Sequence, residues 1–226
     1  MKSVIAVVVA LGVALLLIAT GIGCAQTAPT TAAVAPAAEI ALPAPSLVGK
    51  VSVEAALAKR RSVRSFAPQE LTLQQVSQLA WAAQGITDPK TGHRTAPSAR
   101  AVYPMTVYLV KSDGVFEYVP DGHKLRKLFG DDRRAEVSSQ AAVQQAAADF
   151  VIVGDAAKAR AQFRDRAERW MAVEAGMIAE NIHLGAVALG LASVTVGGFT
   201  DADVTKALSL SADQTPILVI PVGVPR

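Results

Sequence analysis

The chain has 226 residues, of which 51% are hydrophobic and 18% are charged, so it can fold around one core of ordinary size. Its formal net charge is +3, or +2 without Lys2 of the N-terminal apolar segment, and it has no Lys/Arg stripe with interleaved aromatic residues. This charge pattern argues against nucleic acid as a partner.

The N-terminus has the features of an export signal. Lys2 precedes an uncharged stretch of Val, Ala, Leu and Ile over residues 4–22, which is typical of a signal peptide or a membrane anchor. Gly21-Ile22-Gly23-Cys24 resembles a bacterial lipobox, although its first glycine stands where an aliphatic residue is usual. We therefore predict a signal peptide over residues 1–23, lipidation of Cys24 and an exported, membrane-anchored domain. The alternative is an uncleaved anchor helix with an incidental cysteine.

A linker is predicted to follow the signal. Residues 25–47 are rich in Ala, Pro and Thr, carry the single charge of Glu39 and show no helical or alternating pattern. Such a composition favours a partly extended tether. We assign residues 24–50 to the lipidated cysteine and this linker, and residues 51–226 to the folded domain.

The first half of the domain alternates helix and strand signals. Its predicted elements are a short helix over Val53–Lys59, a helix from a Thr72/Gln75 capping box to Ala83 that Gly85 ends, a long loop over residues 86–102, and a hairpin of strands Met105–Val110 and Val115–Val119.

The second half is dominated by one long helix. Its predicted elements are helices over His123–Phe129 and Val137–Ala147, a strand over Phe150–Val153, the longest helix over residues 159–190, a strand over Ala192–Val196, a helix over Asp201–Leu208 and a strand over Ile217–Val222. The long helix is apolar nearly all round from Trp170, which indicates a central, buried position. The predicted class is α+β, with a mainly antiparallel sheet packed by helices around this helix.

Three segments carry residues suited to binding a phosphate or a flat ligand. Arg60-Arg61-Ser62-Val63-Arg64 offers three guanidinium groups and a hydroxyl as phosphate donors. The small residues of Gly92–Pro104 let a loop approach a planar ligand, and Gly197-Gly198 exposes backbone N–H groups after a strand. Taken singly, the three are also explained by a solvated basic turn, an ordinary surface loop and a tight strand-to-helix turn.

The order and spacing of these segments resemble the FMN-dependent nitroreductase superfamily, and within it the branch containing azoline-oxidising peptide dehydrogenases. The resemblance runs from about Ala56 to the C-terminus. The strings that carry it are Arg60–Phe66, Leu71–Ile86, Arg94–Pro104, Glu174-Ala175-Gly176, Asn181 and Gly197–Phe199. It implies a nitroreductase-like fold, bound FMN, a small-molecule substrate and a homodimer with the flavin at its interface.

The resemblance also implies roles for individual residues. It assigns Arg60, Arg61, Ser62 and Arg64 to the phosphate and ribityl chain, Pro97, Ser98, Ala99 and Ala101 to the loop under the isoalloxazine ring, Gly197 and Gly198 to flavin N5, and Arg226 to the phosphate. Gly198 receives the catalytic role, because its backbone would donate to the atom that accepts and releases hydride. The cofactor supplies the chemistry, and the protein sets its position and potential.

Other titratable residues receive no catalytic assignment. His93, His123 and His183 lack the paired spacing of a metal site, so no metal is predicted. Glu174 and Glu180 are predicted to be structural hydrogen-bonding groups, with a role near the flavin as the alternative.

Three positions depart from the pattern of that branch. Arg100 stands where a glycine is usual, and a positive φ there would strain the backbone. Met177 replaces a common histidine, and Gln162-Phe163 replaces a Lys-Tyr pair of the azoline oxidases, so azoline oxidation is disfavoured. We predict an FMN-dependent oxidoreductase that transfers hydride equivalents between a donor and a quinone, nitroaromatic or similar acceptor. The alternative is a non-catalytic, membrane-tethered flavin-binding or electron-carrier lipoprotein.

Overall fold

The computed structural model describes residues 38–226, and the predicted signal peptide and Cys24 lie outside them. The strands are β1 (Glu39–Ala41), β2 (Ile86–Asp88), β3 (His93–Arg94), β4 (Met105–Lys111), β5 (Gly114–Val119), β6 (Lys124–Phe129), β7 (Ala148–Asp155), β8 (Ala192–Ser193) and β9 (Gln214–Gly223). Seven of them form one antiparallel sheet in the order β1-β6-β5-β4-β7-β9-β8, while β2 and β3 form a separate ribbon.

Helices cover both faces of the sheet. They are α1 (Val53–Lys59), α2 (Leu73–Gln84), α3 (Arg134–Val137), α4 (Ala141–Gln144), α5 (Ala156–Phe163), α6 (Ala167–Ala188) and α7 (Asp201–Leu208). Side chains of β7 alternate between the two faces, so that Phe150 and Ile152 pack toward α2 and α6 while Val151 and Val153 pack toward α7. The α+β class with a long central helix is confirmed. Within residues 38–226, no helix is long and apolar enough to cross a bilayer.

Several elements form where the sequence predicts them. The structure confirms α1, the β4–β5 hairpin and α7. At the start of α2, the Thr72 side chain accepts from the Gln75 backbone while the Gln75 side chain accepts from Thr72, which is the predicted capping box.

The end of the predicted linker is instead part of the fold. Strand β1 pairs with β6, and Leu42 is buried in the core. Two side chains of α2 bind this segment: Ser77 donates to the Pro43 carbonyl, and Gln78 exchanges hydrogen bonds with the backbone of Ser46. We call residues 38–48 the strap. The fold therefore includes residues before the predicted domain start at residue 51. Partners more than 30 residues away bind backbone groups of the strap, which has no local sequence pattern.

The helix predicted over His123–Phe129 is wrong, because that segment is strand β6. Pro120-Asp121-Gly122, with Gly122 at a φ of +73°, turns the chain back so that Leu125 pairs with Tyr118. The helix predicted over Val137–Ala147 is also replaced, here by α3 and α4, because Ser138 between them is extended.

The long helix and the long loop differ from their predictions in detail. A break at Arg164, where φ is 52°, divides the helical span into α5, a 3-10 turn and α6. The predicted loop over residues 86–102 contains the β2–β3 ribbon and a 3-10 turn at Ala99–Ala101.

Candidate functional site

The basic segment lies extended against the end of the sheet. Ser62 forms a parallel bridge with Ser193, and the Val63 amide donates to the Ser193 carbonyl at 3.1 Å. Val63 packs against the core, and side chains alternate along extended backbone. Ser62 and Arg64, which flank Val63 and are both exposed, therefore lie on the opposite side, where a hydroxyl and a guanidinium are available to an anion. Arg60, the residue that ends α1, adds a second guanidinium to the same segment.

Arg61 belongs to the end of α1. Its Nη1 atom donates to the carbonyls of Ala58 at 3.1 Å and Arg60 at 2.7 Å. Its guanidinium thus satisfies carbonyls that the end of a helix leaves free. Arg61 lies beside the predicted phosphate site in sequence, but its charge is already engaged locally.

Arg226 lies next to the same segment. Its backbone amide donates to the Ser65 carbonyl at 3.4 Å, and the preceding residue, Pro225, bridges Phe66. Its side chain lines a cavity of about 290 Å³ that Arg134 also lines. The structure therefore brings the C-terminal arginine to the residue that follows Arg64.

The glycine pair leaves open space. Val196 bridges Val219 of β9, and the exposed Gly197 and Gly198 follow directly. A Cβ atom added at Gly197 would meet no atom within 4 Å. The Gly198 carbonyl accepts a 2.9 Å hydrogen bond from Nε2 of Gln140, which fixes the turn from a distant part of the chain.

His183 of α6 supports the strand that leads to this turn. One ring nitrogen is 2.7 Å from the Ser193 hydroxyl and the other is 2.7 Å from the Thr195 hydroxyl. Burial, reinforced by the charge of Arg60, lowers the pKa of His183 to about 4. The ring is therefore neutral at pH 7, with one nitrogen donating and the other accepting. This contact links α6, the partner strand of Ser62 and the glycine turn.

The predicted ring-binding loop is strained. Arg100, Ala101 and Tyr103 have φ values of 56°, 54° and 49°. Arg100 thus occupies the backbone region that favours glycine, at a cost of about 1–3 kcal/mol. Pro97 and Ala101 are exposed, whereas Ser98 and Ala99 are half-buried. Strained backbone persists only where surrounding contacts hold it.

The basic segment and the loop contact different parts of α6. Arg60 lies 4.0 Å from Glu180. The loop instead acts on Glu174: burial raises the pKa of this carboxyl, and the Ser98 hydroxyl partly opposes the rise. These two positions of α6 are separated by about 9 Å along the helix axis and about 120° around it.

The residues present fit a phosphate-bearing planar cofactor. Arg60, Ser62 and Arg64 supply charged and neutral donors for a phosphate, and the space beside Gly197 can receive a flat group close to backbone. Within the described range, no group of three or more His, Cys, Asp or Glu side chains could hold a metal ion.

The sequence predicts no role for His183, and nothing in it singles out Gln140. The signal for His183 is the alternation of Ser193 and Thr195, which places both hydroxyls on one side of a strand. Gln140 has no local signal, since its partner Gly198 lies 58 residues further along the chain.

An antiparallel α+β domain with a basic segment beside an open glycine turn is a fold and site suited to cofactor-dependent chemistry. The chain belongs to the nitroreductase family, whose model matches residues 57–224, and members of this family are oxidoreductases.

Individual relatives agree with this assignment. A protein of Methanocaldococcus jannaschii named as a candidate nitroreductase is 33% identical over 186 residues, covering 78% of this chain and 92% of the relative. The structure of a candidate nitroreductase from Ralstonia eutropha has a TM-score of 0.79 at 31% identity, covering 84% of this chain and 93% of that chain. The NADPH:FMN oxidoreductase of Vibrio harveyi shares the fold, with a TM-score of 0.57 at 20% identity, covering 76% and 68%.

Proposed function

We propose that the protein is an FMN-dependent oxidoreductase that transfers hydride equivalents from a donor to a quinone, nitroaromatic or similar small acceptor. The observation that supports this proposal is the bridge between Ser62 of the basic segment and Ser193, because the strand of Ser193 leads to the open turn at Gly197-Gly198. The flavin named in the Vibrio harveyi structure supports the choice of cofactor.

The protein's own residues would hold and orient the flavin. Arg60, Ser62 and Arg64, with Arg226 nearby, would bind the phosphate, and the backbone of Gly198 would meet the flavin N5. Bound FMN would accept hydride from one compound and release it to another. Gln140 would keep the Gly198 carbonyl turned away from the ring, because it holds that oxygen at 2.9 Å.

A second copy of the chain would complete the site. The loop at Pro97–Ala101 contacts a different side of α6 from the basic segment, so one protomer would supply the phosphate donors and its partner the loop. Val53 and Leu57 of α1 and Trp170 and Val173 of α6 are exposed by 39–65%. Burying such apolar side chains between two copies would stabilise a homodimer.

The phosphate contact can be tested by comparing FMN with riboflavin, which lacks the phosphate. Arg60→Ala removes a charge-assisted hydrogen bond of about 1.5–3 kcal/mol, so the Kd for FMN should rise about ten- to a hundredfold. The Kd for riboflavin should stay nearly constant. Flavin fluorescence quenching measures both constants.

The matched control is Arg61→Ala, because the Arg61 guanidinium already binds the carbonyls of Ala58 and Arg60. It should weaken FMN binding much less than Arg60→Ala does. The assignment is wrong if wild-type protein binds riboflavin as tightly as FMN.

We further propose that the domain is exported and anchored through a lipid on Cys24. The apolar stretch over residues 4–22 and the small residues before Cys24 support this localisation. Cys24→Ser should block lipoprotein processing and leave the unlipidated precursor. Mass spectrometry of the wild-type protein checks the proposal, and an unmodified Cys24 would exclude it.

A further inference from the structure

A buried polar chain connects α6 to the strained loop. Gln84 of α2 donates from Nε2 to Oε1 of Glu174 at 3.3 Å, and its Oε1 accepts from Nη1 of Arg94 at 3.0 Å. Gln84 is 1% exposed and Glu174 is 2% exposed. The Gln84 amide is thus oriented at both ends, with its donor toward a carboxylate and its acceptor toward a guanidinium.

This polar network reaches the loop through Arg94 and Tyr103. The Arg94 guanidinium lies 4.5 Å from the centre of the Tyr103 ring, and the Arg94 amide donates to the Tyr103 hydroxyl at 3.2 Å. The Tyr103 amide in turn donates to the Ser98 hydroxyl at 2.8 Å. Both ends of the loop over residues 98–103 are therefore connected through Arg94 and Gln84 to Glu174.

Lys158 of α5 adds an external contact, because its Nζ donates to the Tyr103 carbonyl at 3.0 Å. Tyr103 is thus held through its ring, hydroxyl, amide and carbonyl, although its φ is 49°. Without specific contacts, Tyr103 would be expected to move to a negative φ, since an L-residue at positive φ is disfavoured. The contacts from Arg94, Ser98 and Lys158 oppose that relaxation.

We propose that Glu174, Gln84 and Arg94 are positioning residues that hold the Ser98–Tyr103 loop in its strained conformation. The loop is preorganised before any ligand arrives, so a planar cofactor need not order it on binding. The inference that the loop receives a cofactor rests on the proposed function, because it takes FMN as the ligand that meets the loop. The inference that these three residues hold the loop concerns the protein alone and does not rest on that function.

Limited trypsin digestion tests, without a flavin, whether these residues hold the loop, because the exposed Arg100 lies inside the loop and is a trypsin site. Gln84→Leu removes both amide contacts at nearly the same volume. Cleavage after Arg100 should accelerate at least tenfold in that variant, as peptide mass spectrometry would show. Cleavage after Arg164, in the break between α5 and α6, serves as the internal reference for general loosening. The exposed Gln162→Leu on α5 is the matched control and should leave both rates unchanged.

A milder variant covers the case in which Gln84→Leu does not fold. Tyr103→Phe removes only the hydroxyl that accepts from Arg94, so it leaves no buried charge without a partner. It should accelerate cleavage after Arg100 relative to the wild type, again without affecting cleavage after Arg164. Equal acceleration at Arg100 and Arg164, or none at Arg100 in either variant, would overturn the proposal.

FMN binding distinguishes a failure of this proposal from a failure of the proposed function. Wild-type protein that binds no FMN contradicts the proposed function but leaves the digestion result standing. If wild-type protein binds FMN, Gln84→Leu should raise the Kd at least fivefold and change the visible spectrum of the bound flavin. Unchanged affinity and spectrum in a variant with accelerated loop cleavage would show that the loop does not meet the flavin.

Discussion

Replacing Asp149 with asparagine is expected to raise the free energy of unfolding by about 1–3 kcal/mol at pH 7. Asp149 lies in β7, an interior strand between β4 and β9. It is fully buried, and neither carboxyl oxygen has a hydrogen-bond partner. Its neighbours on the same face of the strand are Val151 and Val153. Burial raises the pKa of Asp149 well above its usual range, and the charge of Arg134 opposes this only in part.

The pH dependence follows from the direction of that shift. Above about pH 4, the unfolded chain releases the Asp149 proton whereas the native chain retains it. Asp149 therefore lowers the free energy of unfolding more and more as the pH rises above this value. Urea unfolding at several pH values should show the Asp149→Asn advantage at pH 7 shrinking as pH falls to 4. The exposed Asp121→Asn should change stability by less than about 0.5 kcal/mol throughout. A destabilised Asp149→Asn protein at pH 7 would show that the carboxylate has a stabilising partner.

His183 should make the protein sensitive to acid. Its pKa is lowered to about 4 by burial and by Arg60, so the unfolded chain binds a proton below about pH 6.5 that the native chain does not. The contribution of His183 to the free energy of unfolding is therefore complete above about pH 6.5. It falls by about 3 kcal/mol in total as the pH falls toward 4.

The variant His183→Asn isolates this effect. It should be less stable than the wild type at pH 7, because the Ser193 and Thr195 hydroxyls lose their shared partner. The difference in unfolding free energy should then narrow by about 3 kcal/mol between pH 7 and pH 4, measured by urea unfolding. A difference in unfolding free energy that stays the same from pH 7 to pH 4 would mean that His183 has the same pKa in the folded and unfolded protein.

Local signals were enough for the elements whose determinants are close in sequence. The Thr72 and Gln75 capping box and the β4–β5 hairpin each depend on residues a few positions apart, so their structure could be predicted. Strand β6 could not, because the turn at Pro120–Gly122 competes with a helix-like pattern and pairing with β5 decides the outcome. The strap depends in the same way on Gln78, whose side chain binds a segment 32 residues earlier.

The candidate site shows the same difference between local and distant determinants. The resemblance to a family supplied the residues that we propose to face a flavin, whereas the contacts that hold them in place join distant segments. Glu174 and Gln84 are 90 residues apart, and Gln140 is 58 residues from Gly198. Each of these side chains is polar, and single polar residues have many structural uses. Their partners therefore become evident only when the fold brings them together.

The visible absorption of the protein after reconstitution with FMN and gel filtration tests whether this domain binds FMN and passes its electrons to a small acceptor. We expect flavin absorption to elute with the protein, to be bleached by anaerobic photoreduction and to return rapidly when a quinone or nitroaromatic is added. Bound flavin that reoxidises no faster than free FMN would favour the electron-carrier alternative. Protein that elutes without flavin would contradict FMN binding.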